Sequence, residues 1–458
     1  MTLHALSPLD GRYQNETSPL RDYFSEFAFL RTRARVELTF LSALSKTGLF
    51  PSEMLSGLGT ALQDFTEEDA RKIQAYEKTT RHDVKAIEYF LREKVPPELH
   101  PWIHFGLTSE DINNIAQAFA LKDSRDKVLL PALERLLWSL RDFVEESRDI
   151  PLVARTHGQP ALPTTLGKEI AVYLTRLLDS RQDIKSHPFE AKLTGAVGNF
   201  NALQAAAPTI DWPTFSREFI QGLGLEPNLV TTQILPYDNW IRFFDSLKLT
   251  NAILIGYTQD IWRYISDGIL SQKMVDEEVG SSTMPQKVNP IDFENAEGNL
   301  GIANALFTYY GQKLPVSRLQ RDLSDSTVRR TFGVALGHSL LAWKNITRGM
   351  SRLAPNEERI KQDLNEHWEV ISEGAQTILR ATGRSDAYES LKSHLRGRVL
   401  SESDYRHWVE SLDIDTETRD RLMGLSPETY TGLAVEIAES VIARSDFVIP
   451  RSGEQEAK

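Results

Sequence analysis

An all-α protein is predicted by three observations. Long stretches carry apolar residues at the three-and-four spacing of a helix face, alternating strand patterns are scarce, and Gly or Pro clusters separate the stretches. In 109–146 the stripe is Val128, Leu129, Leu133, Leu136, Leu137, Leu140, Phe143 and Val144. The same spacing runs through 164–186, 238–273, 291–313 and 326–353, which predicts five long helices in the middle of the chain. Helices of ~30 Å or more exceed what a compact domain needs, and such helices often pack against copies of themselves. Shorter helical patterns broken by PSEM, VPPELHP and GLSPET lie on either side. The expected organisation is therefore three helical domains: 1–108 with the His82 region, 109–353 with the long-helix bundle, and a small domain at 354–458. The polar tail after Pro450 is expected to be disordered.

Composition agrees with that size. At 458 residues, with 41% hydrophobic and 25% charged, the chain is longer than one hydrophobic core usually serves. The absence of cysteine removes disulfides, thiolate metal sites and thiol catalysis, and fits a cytoplasmic protein. The opening MTLHALSPLDGRY lacks the basic start and apolar run of a secretory signal, and no stretch approaches the ~18 uncharged apolar residues of a membrane helix. A net charge of -12 argues against general nucleic-acid or anionic-membrane binding while leaving room for a local basic pocket. GxxxxGK[ST], GxGxxG after a strand and HExxH are all missing, and GAVGN at 195–199 reads as a turn. No metal and no cofactor are expected, so the chemistry falls to side chains.

Four polar stretches interrupt the helical pattern. TTRHD at 79–83 runs into the helix VKAIEYFL. Thr108 and Ser109, followed by two acids, head the longest helical stretch. RTHGQP spans 155–160. The fourth is GSSTMPQKVNP at 280–290, beyond which SRLQRDLSDSTVRR places four arginines between Ser317 and Arg330. Each has a plain structural reading: an N-cap at Thr108, a locally satisfied His82 at a helix start, turn chemistry around His157, and an ion-pair network among the arginines. The loop at 280–290 is harder to explain so. A flexible Gly-Ser start, a hydroxyl pair and a lysine before a proline stop suggest a lid.

GSSTMPQKVNP resembles the signature loop GSSxMPxKxNP of the fumarase/aspartase superfamily of fumarate-releasing lyases. DGRY, TTRHDVKAIEYFL, FGLTSEDINN, RTHGQPALPTTLGKE, TTQILPYD and KLPVSRLQRDLSDSTVRR resemble its bacterial adenylosuccinate lyase branch, from about Ser7 to the end of the central bundle. The resemblance implies β-elimination of fumarate from adenylosuccinate and from SAICAR. It further implies a homotetramer with a twenty-helix core and active sites shared between subunits. By residue-to-residue matching it implies Ser281 as general base and His157 as general acid. Arg12, Tyr13, Arg321, Ser326 and Arg330 then match the nucleotide-phosphate contacts. His82, Asp83, Thr108, Ser109, Gln233, Ser282 and Asn295 match contacts to the rest of the substrate, and Lys287 and Asn289 serve loop closure and carboxylate binding. Arg81 joins the binding set as a departure, since close bacterial relatives often have Asn there. Gln286 stands where they often have His, and resembles the argininosuccinate lyases. Argininosuccinate lyase, another fumarate-releasing relative, and a non-catalytic helical oligomer like the structural lens relatives are the alternatives.

Overall fold

Where the three-and-four spacing is continuous, long helices form. They are Ser109–Ser124 leading into Leu130–Ser147, then Leu166–Ser186, Asp238–Ser266, Ile291–Lys313 and Phe332–Met350. Every residue of the stripe predicted between Val128 and Val144 is buried. This computed structural model is 66% helical, and it describes residues 3–55, 65–273, 284, 287–387, 389 and 400–444. The tail after Pro450 lies outside them. Among the described residues the strands are short and form three two-stranded sheets.

The first long helix is not uniform. A π-type turn, Arg125–Leu129, joins its two parts, and the Leu130 N–H reaches back to the Arg125 carbonyl. Pro131 explains it. A proline has no N–H for the carbonyl four residues earlier and its ring crowds that turn, so the chain widens by one residue and continues.

Three predicted boundaries change. Thr164 and Thr165 close a strand instead of opening the next helix, which begins at Leu166. The stretch 238–273 stops being helical at Ser266, because Gly268 takes φ 74° and ends the helix in the left-handed region. Leu270–Gln272 then pairs antiparallel with Leu353–Pro355. The stretch 326–353 divides into Ser324–Arg329 and Phe332–Met350. At the break Thr331 donates its hydroxyl to the Val328 carbonyl at 2.6 Å, while Tyr310 donates to the Thr331 carbonyl at 2.8 Å. Side chains thus take over backbone partners that a continuous helix would use. GAVGN is a turn as expected, with Gly198 donating to Gly195.

Contacts group the chain into two compact units: 1–132, 180–252 and 299–342 in the first, and 133–179, 253–298 and 343–458 in the second. Several large apolar side chains on the long helices remain exposed, among them Val172, Leu249, Trp262, Ile302, Tyr309 and Val334. No helix among the described residues is long and apolar enough to cross a membrane.

Candidate active site

The arginine segment supplies the first unit's most charged feature. On the helix Ser324–Arg329 Asp325 and Arg329 share a buried face, and half-buried Arg321 from the turn before it reaches the same partners. Arg329 grips Glu110 with two nitrogens, at 2.7 and 3.0 Å, and reaches Gln117 at 2.7 Å and Asp325 at 3.1 Å. Arg321 meets the same Glu110 at 3.3 Å and the Gln233 side chain at 3.3 Å. Tyr237 donates to Asp325 at 2.8 Å. Burial pushes the Tyr237 phenol well above its ordinary value, with Glu110 and Asp325 adding to it against Arg329. Burial alone would depress the Arg329 guanidinium, but Glu110, Tyr237 and Asp325 outweigh it and leave it raised. The adjacent face carries the candidate phosphate pair, where Arg330 donates to the Ser326 carbonyl at 3.0 Å and also to its hydroxyl. Nearby, Leu9 packs on Gly337, where a Cβ would lie 2.9 Å from it. This places the turn bearing Arg12 and Tyr13 against the helix that follows Arg330. The Arg12 guanidinium sits 5.9 Å from the Tyr13 ring centre.

TTRHD joins two helices. Thr66 caps Glu67–Thr80, which ends on Arg81 at φ 52°; His82 then caps Asp83–Lys94 by accepting the Lys85 N–H on Nδ1 at 3.1 Å. That bond leaves the Nε2 edge of His82 to carry the proton as a donor. Asp83 is committed to the buried Arg33 at 2.9 Å. Burial works to raise the Asp83 pKa, but Arg33, the Val84 N–H and His82 hold it below its ordinary value, and Arg330 contributes in the same direction. Arg81 occupies a backbone region that asparagine tolerates better than arginine. Arg81→Asn is therefore expected to stabilise the protein by about 0.5–1 kcal/mol, measured as a higher urea midpoint; an unchanged or lower midpoint would show that the arginine compensates for its backbone.

Thr108, the cap of the helix that Ser109 opens, is held by Asp111. Asp111 accepts the Thr108 N–H at 2.9 Å, the N–H groups of Thr194 and Gly195 at 3.1 and 3.3 Å, and the Lys192 ammonium at 3.0 Å. Asn114 bonds both backbone groups of Lys192. Gln233 completes this side, donating to the Ala196 carbonyl at 3.1 Å. The plain capping reading of Thr108 is thus half of the picture: the acids also bind a distant strand of chain.

Behind that turn, His104 at φ 58° bonds Glu37 at 2.6 Å. Burial works against charge on His104, but Glu37 overcomes it and raises the pKa above 6.5. A raised histidine pKa adds stability that is complete below about pH 6.5 and lost as pH climbs through the folded value. The Tm gap between wild type and His104→Gln should accordingly be widest near pH 6 and narrow towards pH 9, about those values. A constant gap would mean that the pair does not titrate.

In the second unit RTHGQP forms a hairpin. Strands β1 (Pro151–Thr156) and β2 (Gln159–Thr165) pair antiparallel, with Thr156 opposite Gln159. His157 and Gly158 make the two-residue connection, both at positive φ, 55° and 75°. That is the backbone of the turn that suits strand twist, and a non-glycine there is strained by about 1 kcal/mol or more. His157 is exposed at the tip. Arg155 anchors the hairpin, its NH2 lying 2.8 and 2.9 Å from the carboxylate oxygens of buried Asp363. Lys287 is exposed and Asn289 half-buried. Asn295 accepts from Asn345 at 2.5 Å, Asn345 from Arg348 at 2.8 Å, and Arg348 pairs with Asp292 at 2.6 Å, fixing the first turns of Ile291–Lys313. Ser281, Ser282 and Gln286 lie outside the described residues.

The structure thus gathers Arg12, Tyr13, Arg81, His82, Asp83, Thr108, Ser109, Gln233, Arg321, Ser326 and Arg330 in one unit, and His157, Lys287, Asn289 and Asn295 in the other. Sequence reasoning overlooked Lys192, Tyr237 and the structural role of Glu110 and Arg329. The four-residue interval from Asp325 to Arg329 could have revealed the buried face; nothing local marks Lys192.

Similarity to known proteins follows the same segments. The Lyase family matches residues 11–303, and the adenylosuccinate lyase C-terminal family matches 317–431. Adenylosuccinate lyase from Haemophilus influenzae is 46% identical over 451 residues, covering 96% of this chain and 99% of that one. The Escherichia coli K12 protein of that name is 43% identical with the same coverage, and the Dictyostelium discoideum one 46% identical, covering 94% and 97%. Among solved structures, a fumarate lyase from Mesorhizobium sp. BNC1 superposes with TM-score 0.76 at 18% identity, over 93% of this chain and 98% of that one. The 3-carboxy-cis,cis-muconate lactonizing enzyme from Pseudomonas putida gives 0.73 at 21%, over 93% and 96%; these two bear on the fold.

Proposed function

We propose that this chain, which belongs to the adenylosuccinate lyase family and is a carbon–nitrogen lyase, expels fumarate from adenylosuccinate to leave AMP, and from SAICAR to leave AICAR. The observation that carries the choice of a phosphorylated substrate is the arginine arm. In a protein of net charge -12, Arg321 and the Arg330–Ser326 pair are concentrated around one helix. Guanidinium forks suit a phosphate, whose charge they hold through charge-assisted bonds.

The elimination needs a base for the proton on the carbon beside a carboxylate and an acid for the departing nitrogen. Ser281 takes the first role and His157 the second. A serine is a weak base in water, so its loop must surround it with N–H dipoles and cationic charge and exclude solvent. Lys287 and Asn289 serve there, and stabilise the carboxylate as negative charge grows on it. His82 offers its Nε2 proton, and Thr108, Ser109, Asn295 and Gln233 orient the succinyl and base portions.

The working form is a cytoplasmic homotetramer in which four chains each contribute five long helices. Exposed Val172, Leu249, Trp262, Ile302, Tyr309 and Val334 on those helices supply apolar surface for such packing. The exposed turn at His157 reaches an active site completed by other copies.

The test is direct. Purified protein is mixed with adenylosuccinate, SAICAR or argininosuccinate, and fumarate is followed together with the purine absorbance. Fumarate from the two purine substrates alone is expected; release from argininosuccinate alone, or none from any, overturns the reading.

A further inference from the structure

Arg329 and Arg321 lie eight residues apart and both reach Glu110, yet they are held very differently. Arg329 has four contacts between 2.7 and 3.1 Å, and 2% of its side chain is exposed. Arg321 keeps only longer ones, 3.3 Å to Glu110, 3.3 Å to Gln233 and 4.0 Å to Asp325, with 15% exposed. The Nε of each arginine and the Asp325 Oδ1 are buried without a hydrogen-bond partner among the described residues. Arg321, more exposed and held at longer distances than Arg329, is therefore the member of the cluster more open to a further partner.

The charges explain why. Glu110 and Asp325 bring two negative charges into a site where their side chains are 0% and 5% exposed, and Arg329 and Arg321 bring two positive ones. Arg329 takes both oxygens of Glu110 and Oδ2 of Asp325, the best positions available. Arg321 is left loosely paired, just ahead in sequence of the short helix whose adjacent face carries Ser326 and ends at Arg330. Without Arg329 the two carboxylates would draw Arg321 inward, since it is the cation already in contact with both.

We propose that Arg329 is a positioning residue for phosphate recognition: by neutralising Glu110 and Asp325 it leaves Arg321 free to grip the nucleotide phosphate. This rests on the functional reading above. It predicts that phosphate affinity follows the charge balance of the cluster and not the mere presence of a packed side chain.

The experiment compares AMP with adenosine by calorimetric titration of Arg329→Met, Asp325→Asn and the double variant. Arg329→Met leaves one excess negative charge and should bind AMP at least about tenfold more weakly, with adenosine unchanged. The double variant restores the balance and should recover AMP affinity to within about threefold of wild type. Asp325→Asn alone should bind AMP at least as tightly as wild type. Equal losses for AMP and adenosine, or no recovery in the double variant, overturn the proposal. Should Arg329→Met fail to fold, weaker AMP binding by Asp325→Asn overturns it instead. Wild-type protein that binds neither ligand overturns the functional reading itself.

Discussion

Lys192→Met is expected to lower the stability of the protein by about 3–5 kcal/mol, the range for removing one partner of a buried ion pair. Both side chains of the Lys192–Asp111 pair have no exposure at all, so neither charge can turn to water when the other is lost. Asp111 would keep three backbone donors, from Thr108, Thr194 and Gly195, but would lose the only cation that contacts it among the described residues. The Lys192 ammonium also donates to the Gly195 carbonyl at 2.9 Å, and that acceptor would be left with only the longer Gly198 N–H bond among the described residues. Equilibrium urea unfolding measures the effect. A loss below about 1 kcal/mol would mean that the three N–H groups satisfy Asp111 without a cation. Because the same carboxylate fixes the Thr108–Ser109 turn, the variant should also lose substrate affinity under conditions where it remains folded.

This pair marks the limit of what the chain reveals when read as a string. The long helices were legible because burial imposes a period on apolar residues, and the stripe from Val128 to Val144 is buried throughout. Their ends were less so. Ile269, Leu270 and Leu353 continue an apolar rhythm that Gly268 and Thr331 interrupt through backbone conformation and side-chain hydrogen bonds, neither of which disturbs the rhythm itself. His157 was legible as a polar interruption, but its place between two paired strands was not, since β1 and β2 are too short and too polar at their tips to alternate clearly. The charged cluster shows a different failure. Glu110 and Asp111 look like helix-start acids from sequence, and their partners Arg329 and Lys192 stand 219 and 81 residues away (329 − 110 and 192 − 111). Long-range pairing of this kind is set by the fold and leaves no local pattern.

His157→Ala and Ser281→Ala are each expected to fold and to lose at least ~10²-fold in turnover, the lower end for removing a positioned acid or base. For His157 the fold supports the first half of that statement. Its side chain is exposed, and the hairpin is secured elsewhere, by the strand register and by the Arg155–Asp363 pair. Near-native turnover by either purified variant would remove that residue from its role. The pair also tests the assembly. If the acid and base of one site come from different subunits, mixing the two inactive variants under exchanging conditions creates sites with both native groups. With equal amounts and random exchange each group is native half the time, so activity should return to roughly a quarter of wild type. Mass-tagged subunits would report whether exchange has occurred. Exchange without any recovery would place both groups in one subunit or outside a common site, and the shared-site tetramer would have to be abandoned.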